Sequence, residues 1–190
     1  MAVSAREALM EREALHALPE LRTFGRVLYV GANTRRFDLY RLFDPSRLYV
    51  LEAWKANVRA LRQAKHLGLC GVILGDVLQA AELPEIAALA PFELVCWQDG
   101  PEHVAEDDLR AFIGPSGPLH GLYSGAVLMG APWGLYRQGA AYGNPYEVHR
   151  SYLVPEFFTG LGYQATVVGE KDTASGHVTA WRRAVITAGV

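Results

Sequence analysis

Four short apolar runs recur through the first hundred residues, and each leads into a glycine or an acid. They are RVLYVG (26–31), RLYVLE (47–52), GVILGD (71–76) and FELVCW (92–97), the last followed by Gln98 and Asp99. Runs of this length, apolar without alternation and rich in β-branched residues, read as strands buried on both faces. Helical segments separate them. Residues 54–67 put Val58, Leu61 and Leu67 on one face and stop at Gly68, a residue suited to helix termini. Residues 34–43 read as a short helix with Phe37, Tyr40, Leu42 and Phe43 apolar, and 81–89 as another that tolerates Pro84 in its first turn. Residues 105–113 form one more, and 4–17 open the chain with strong helix formers ended by Pro19. A fifth strand spans 121–129. After a long stretch rich in Gly, Pro and Tyr, residues 154–161 read as helical and 163–168 and 177–184 as two strands.

Alternating strands and helices require right-handed crossovers and a mostly parallel sheet. The last two strands leave no room for a helix between them, so they form an antiparallel hairpin. The expected fold is α/β: a doubly wound, mostly parallel seven-stranded sheet with that hairpin at one edge. A chain of 190 residues fits one domain. The expected organisation is an N-terminal helical extension over 1–24 and one domain over 25–190, with a lid or substrate segment at 130–152.

Composition removes several function classes. A net charge of −2 lacks the basic excess that a broad phosphate-binding surface needs, which argues against nucleic acid. Cys70 and Cys96 are far apart, each in an apolar run, and are expected to be buried reduced thiols. No stretch of about 18 apolar residues exists, so no membrane span is expected. Charged residues at Arg6, Glu11, Arg12 and Glu13 interrupt any signal-peptide core. The expected location is cytoplasmic, and a homo-oligomer is left open.

In doubly wound sheets the ligand lies beyond the carboxyl ends of the strands, where strand order reverses. That rule selects Gly31, Glu52, Asp76, Gln98 and Asp99. A glycine after the first strand allows a sharp turn and close backbone approach. An acid about 20 residues on can accept two ribose hydroxyls. Both NAD and S-adenosylmethionine use this arrangement. The dinucleotide needs G-x-G-x-x-G, however, and the loop here reads Gly31-Ala32-Asn33-Thr34-Arg35-Arg36, without the later glycines. Asp76 is placed to meet an adenine amino group.

At this point the residues resemble a family, the class I S-adenosylmethionine-dependent methyltransferases. VLYVGANTRRF resembles the first motif, LYVLE the ribose-binding acid, and Gly75–Asp76 the adenine motif. FELVCWQDGPEHV (92–104) is similar to the family's FDLVxxxDxLEHV segment, with Glu93, Asp99, Glu102, His103 and Val104 matching. GNPYEVHRSYLVPEFFTGLGY (143–163) resembles a stretch of bacterial members, and the likeness covers about residues 25–184. It implies a Rossmann-like fold and S-adenosylmethionine held by Gly31, Ala32, Asn33, Glu52, Ala53, Asp76, Val77, Gln98 and Asp99. It further implies methyl transfer by in-line displacement to an O or N atom of a small molecule. The chain departs from the first motif at three places: Tyr29 replaces an acid, and Asn33 and Arg35 replace glycines. Arg35 either fills the methionine part of the pocket or points away from it. The alternatives are a methyltransferase-like fold that has lost catalysis and serves as a binding or assembly module, and a nucleic-acid or protein methyltransferase. The second would need a basic groove, for which Arg35, Arg36, Arg41, Arg137 and Arg150 are candidates.

Displacement at a sulfonium depends mostly on proximity and alignment, and a base is needed only for a nucleophile that holds a proton. His149, in the segment expected to touch substrate, and His103 are the candidate bases. Trp133, Tyr136, Tyr142, Asn144 and Tyr146 are the candidate substrate walls. Asn144-Pro145-Tyr146 is similar to part of an amino-methyltransferase motif that grips a flipped base, but it follows the fifth strand rather than the fourth. Asp99, Glu102, Glu106, Asp107 and Asp108 cluster in sequence. The last three read as the solvated first turn of a helix, where acids suit the dipole. No oxygen set converging from separate elements is evident for a hard cation, and no metal is expected.

Overall fold

The computed structural model describes residues 5–34 and 41–184. The elements in chain order are α1 (Ala5–Ala17), β1 (Val27–Val30), β2 (Leu48–Glu52), α2 (Lys55–Gln63), β3 (Gly71–Leu74) and α3 (Pro84–Ala87). They continue with β4 (Phe92–Gln98), α4 (Glu106–Ile113), β5 (Tyr123–Pro132), α5 (Pro155–Thr159), β6 (Gln164–Val168) and β7 (His177–Arg183). The helix expected over 34–43 falls largely outside the described residues, as do Arg35 and Arg36.

The seven strands form one sheet in the order β3-β2-β1-β4-β5-β7-β6. Pairs β3·β2, β2·β1, β1·β4 and β4·β5 are parallel, and β7 runs antiparallel to both β5 and β6. The fold is therefore the expected doubly wound α/β sheet with its antiparallel hairpin. After β3 the chain returns to the other side of β1, which puts the switch point between β1 and β4.

Strand alternation feeds two cores. On one face Leu28, Val30, Leu51, Val95, Trp97, Val127 and Met129 pack with Leu109, Phe112 and Ile113 of α4 and with Phe157 and Phe158 of α5. On the other, Val27, Tyr29, Leu48, Val50, Leu94 and Cys96 pack with Ala14 and Ala17 of α1, with Leu18 and Leu21 just after it, and with Leu61 of α2. Residues from the first two dozen thus contribute to a core under the sheet.

Some local expectations shift. The segment read as a helix over 81–89 is a 3-10 run, Val77–Glu82, followed by a short α-helix that Pro84 starts. Strand β5 reaches Pro132, three residues beyond the expected 121–129. Cys96 is buried as expected, but Cys70 is exposed. It lies in the turn before β3, an edge strand, and its thiol donates to the Ser46 carbonyl. Among the described residues no helix is long and apolar enough to cross a membrane.

Candidate functional site

Strands β1 to β4 all point their carboxyl ends at one cavity of about 370 Å³. After β1 the chain turns at Gly31, whose φ is +70°, a left-handed value that glycine adopts without cost. A Cβ built on Gly31 would meet nothing within 4 Å, so the backbone here faces open space. The Ala32 N–H donates to Glu52 Oε2 at 2.9 Å and the Trp54 N–H to Glu52 Oε1 at 2.7 Å. Glu52 ends β2, is 6% exposed and so braces the loop after β1. Burial, the largest influence, pushes its carboxyl above the usual range against the pull of those two N–H groups and the Asn57 side chain.

Asp76 follows β3 and accepts the Leu78 N–H at 3.0 Å, which caps the 3-10 run. Asp99 follows β4 in a left-handed conformation, φ 49°, uncommon outside glycine and tolerated best by Asn and Asp. Its N–H donates to the Gly130 carbonyl at 2.8 Å. Its Oδ1 lies 3.6 Å from Nε2 of the buried His177, the first residue of β7. Gly100 must be glycine, because a Cβ there would sit 2.0 Å from the Trp97 ring nitrogen.

The irregular stretch after β5 folds back over the strand ends. Asn144 Oδ1 accepts the Tyr146 N–H at 3.0 Å and shapes the turn Pro145–Glu147. The main-chain N–H groups of Arg150 and Ser151 both donate to the Glu102 carbonyl, at 2.8 and 3.1 Å. These bonds bring His149 against the loop after β4. The imidazoles of His103 and His149 pack edge to face with centroids 5.1 Å apart. His103 Nδ1 meets the Val148 carbonyl at 3.3 Å, and His149 Nδ1 meets the Tyr136 carbonyl. A carbonyl only accepts, so in both rings Nδ1 is the donor, and in the neutral form of each ring the lone pair is on Nε2. Burial is the main influence on His103, and it lowers the imidazole pKa below its usual value.

Of the sequence-selected cofactor residues, Gly31, Ala32, Asn33, Glu52, Ala53, Asp76, Val77 and Asp99 line the cavity. Gln98 does not; it is buried at the end of β4, where its amide oxygen packs against Gly130. His103, His149, Tyr136, Asn144 and Tyr146 also line it, whereas Trp133 packs on the core beside the β6–β7 hairpin. The side chain of Tyr142 is outside the described set. Glu102 and Glu147 complete the wall. Sequence reading has Glu102 and His103 side by side in one segment and His149 as a separate candidate; only the fold brings His149 against them. Glu106 and Asp107 lie on the exposed first turn of α4, as the sequence suggests.

The cavity is acidic. Among the described residues, Glu52, Asp76, Asp99, Glu102, Asp108 and Glu147 line it with one arginine, Arg150. Arg41 lies elsewhere, paired with Glu11 at 2.8 Å. A wall of this sign attracts cations and repels a phosphate backbone.

No protein-family model matches the chain, and no curated protein matches it in sequence. Solved structures do match in fold. The N-methyltransferase NodS from Bradyrhizobium japonicum WM9, solved with S-adenosyl-L-homocysteine, is 15% identical with a TM-score of 0.63, over 95% of this chain and 88% of that one. DhpI in complex with SAH is 19% identical with a TM-score of 0.55, over 92% and 85%. A Rhodobacter sphaeroides chain provisionally described as a Zn-dependent alcohol dehydrogenase is 16% identical with a TM-score of 0.60, over 95% and 89%. Likeness at this level shows the architecture; chemistry has to be argued from the site.

Proposed function

We propose that this chain, whose fold is that of the class I S-adenosylmethionine-dependent methyltransferases, transfers a methyl group from S-adenosylmethionine to an O or N atom of a small-molecule acceptor. The observation that carries the reading is the convergence of Gly31, Glu52, Asp76 and Asp99 on one cavity at the strand carboxyl ends. The residues fit the cofactor: Gly31 leaves open space, Glu52 offers a carboxylate to ribose hydroxyls, and the acidic wall suits a cationic sulfonium. Bound there, S-adenosylmethionine supplies an activated methyl group. In this reading Asp76 and Val77 hold the adenine, and Asp99 the ammonium group in place of the acid that Tyr29 replaces. Tyr136, Asn144 and Tyr146 wall the acceptor side. The Nε2 lone pairs of His103 and His149 are the groups there that can take a proton from an acceptor. The acidic lining favours a small acceptor over nucleic acid.

Calorimetry with S-adenosylhomocysteine tests the reading, and a folded protein that takes up none at high micromolar concentration ends it. Glu52→Gln removes the charge and keeps an acceptor oxygen for one of the two loop N–H groups, while its NH2 faces the other. It is expected to weaken binding by about 1–3 kcal/mol, the usual worth of a hydrogen bond to a charged group. Unchanged affinity would remove Glu52 from the ribose site.

The pH dependence has a definite sign. Ribose hydroxyls donate to the ionised carboxylate, and burial raises the Glu52 pKa. Affinity is therefore expected to fall as pH drops through that raised value, at a higher pH than an ordinary glutamate would give. Stability runs the opposite way. A raised pKa contributes stability that is present below the unfolded-state value and is lost as pH rises through the folded one. Glu52→Gln should flatten this component of both profiles. Affinity that rises on acidification through this range would contradict the assignment.

A further inference from the structure

We propose that Glu102, His103 and His149 form a binding site for one first-row divalent transition cation, open on the side that faces the cavity. One ligand atom from each residue lies within 4.8 Å of the other two. Glu102 Oε1 is 3.8 Å from His103 Nε2 and 3.9 Å from His149 Nε2. These separations are too long for hydrogen bonds. They are close to the spacing of ligands around an ion about 2.0–2.2 Å from each, with slight closure needed.

The orientation of the rings is the second argument. Each imidazole is tied through Nδ1 to a main-chain carbonyl, His103 to Val148 and His149 to Tyr136. This is the supporting arrangement that fixes a metal-ligating histidine in one tautomer with Nε2 free to bind. Two lone pairs and a carboxylate oxygen thus converge from two separate elements, the 3-10 turn Pro101–His103 and the loop carrying His149. The main-chain bonds from Arg150 and Ser151 to the Glu102 carbonyl hold those elements in register. Further negative charge is near, since Glu147 Oε2 is 4.0 Å from His103 Nε2.

The donor set selects the ion. Two imidazoles and one carboxylate suit Zn²⁺, Mn²⁺, Co²⁺ or Fe²⁺; Ca²⁺ and Mg²⁺ prefer oxygen sets. Three protein ligands leave further positions open, as in catalytic rather than structural sites. All three residues line the cavity, so those positions face the acceptor. What the ion does there rests on the methyltransferase reading: it would bind an acceptor oxygen, orient it and lower the pKa of its proton, which then leaves to solvent, since with the ion bound the two Nε2 lone pairs are ligands and no longer bases. That narrows the acceptor from O or N to an oxygen. Whether the ion binds does not depend on that reading.

The test uses chelator-treated full-length protein titrated with Co²⁺ or Zn²⁺ by calorimetry, with the visible spectrum of Co²⁺ as a direct report of its ligands. One ion per chain is expected, with Mg²⁺ much weaker. His149→Ala and Glu102→Gln should each weaken binding by about 100-fold or more, given that loss of a mere supporting group costs 10–100-fold. Circular dichroism identifies any variant that fails to fold, and His103→Ala gives an independent third variant. No stoichiometric uptake by the unaltered protein, or unchanged uptake by the folded His149→Ala variant, overturns the site. S-adenosylhomocysteine binding is measured on the same metal-free protein. Cofactor binding without metal uptake removes this inference and leaves the methyltransferase reading; metal uptake without cofactor binding does the reverse.

Discussion

Tyr29→Asp is expected to lower the unfolding free energy by about 4 kcal/mol or more, and not to strengthen cofactor binding. The substitution restores the acid that the resembling family carries at this point of its first motif, which makes it look like a repair. The structure argues otherwise. Tyr29 is 0% exposed, in the core with Leu48 and Val50, and its ring meets Phe43 edge-on at 6.2 Å. Removing a buried aromatic ring costs about 3–5 kcal/mol. A carboxylate left in the same place adds a desolvation cost of several kcal/mol, lessened only by pairing or by taking up a proton. Against a typical total stability of about 5–15 kcal/mol, that is enough to depopulate the fold. Urea denaturation measures it. Tyr29→Phe, which removes only the hydroxyl, should cost about 1 kcal/mol. A Tyr29→Asp protein that is as stable as its parent, or binds S-adenosylhomocysteine more tightly, would show that this position belongs to the ligand site.

The second large effect is expected at Phe158→Ala, a loss of about 3–5 kcal/mol. Phe158 is 0% exposed. It lies edge-on between Phe157 at 5.3 Å and Tyr163 at 6.5 Å. The Tyr163 hydroxyl donates to the Ile113 carbonyl at 2.8 Å, which ties α5 and the start of β6 to the end of α4. Truncation therefore opens a cavity where three elements meet, with little freedom for them to collapse into it. Thermal unfolding should shift by on the order of 10 °C, at roughly 2–4 °C per kcal/mol for a chain of this size. A shift under about 2 °C would mean that α5 contributes little to the main core.

The strands and their ligand-facing ends were legible because they depend on local signals. An apolar run of four to seven residues has few ways to be buried, and Gly31, Glu52 and Asp76 stand at run ends that any reader can mark. The end of β5 was less visible, since Gly130, Ala131 and Pro132 are poor strand formers; pairing with β7 up to His177 holds them in the sheet. The exposure of Cys70 was hidden because its neighbours are apolar while its position is a turn at a sheet edge. The juxtaposition of Glu102, His103 and His149 had no sequence signal. His149 is far along the chain, and the hydrogen bonds from Arg150 and Ser151 to Glu102 and from His103 to Val148 bring it back. Residue type suggested that each histidine was chemically available, but their shared orientation comes from carbonyls of Val148 and Tyr136 that sequence cannot aim.

The place of β7 bears on how the molecule is made. Because β7 lies between β5 and β6, both neighbours leave the ribosome before the strand that must separate them. The edge of β5 stays open during synthesis, with its hydrogen-bonding groups unpaired, until the final hairpin arrives; open edges of this kind are where nascent chains stick to one another. His177, which meets Asp99 beside the cavity, comes in with that same strand. The described residues that line the cavity all precede β6, so a ribosome-bound chain has made that lining before the strand that sets His177 against Asp99 has emerged.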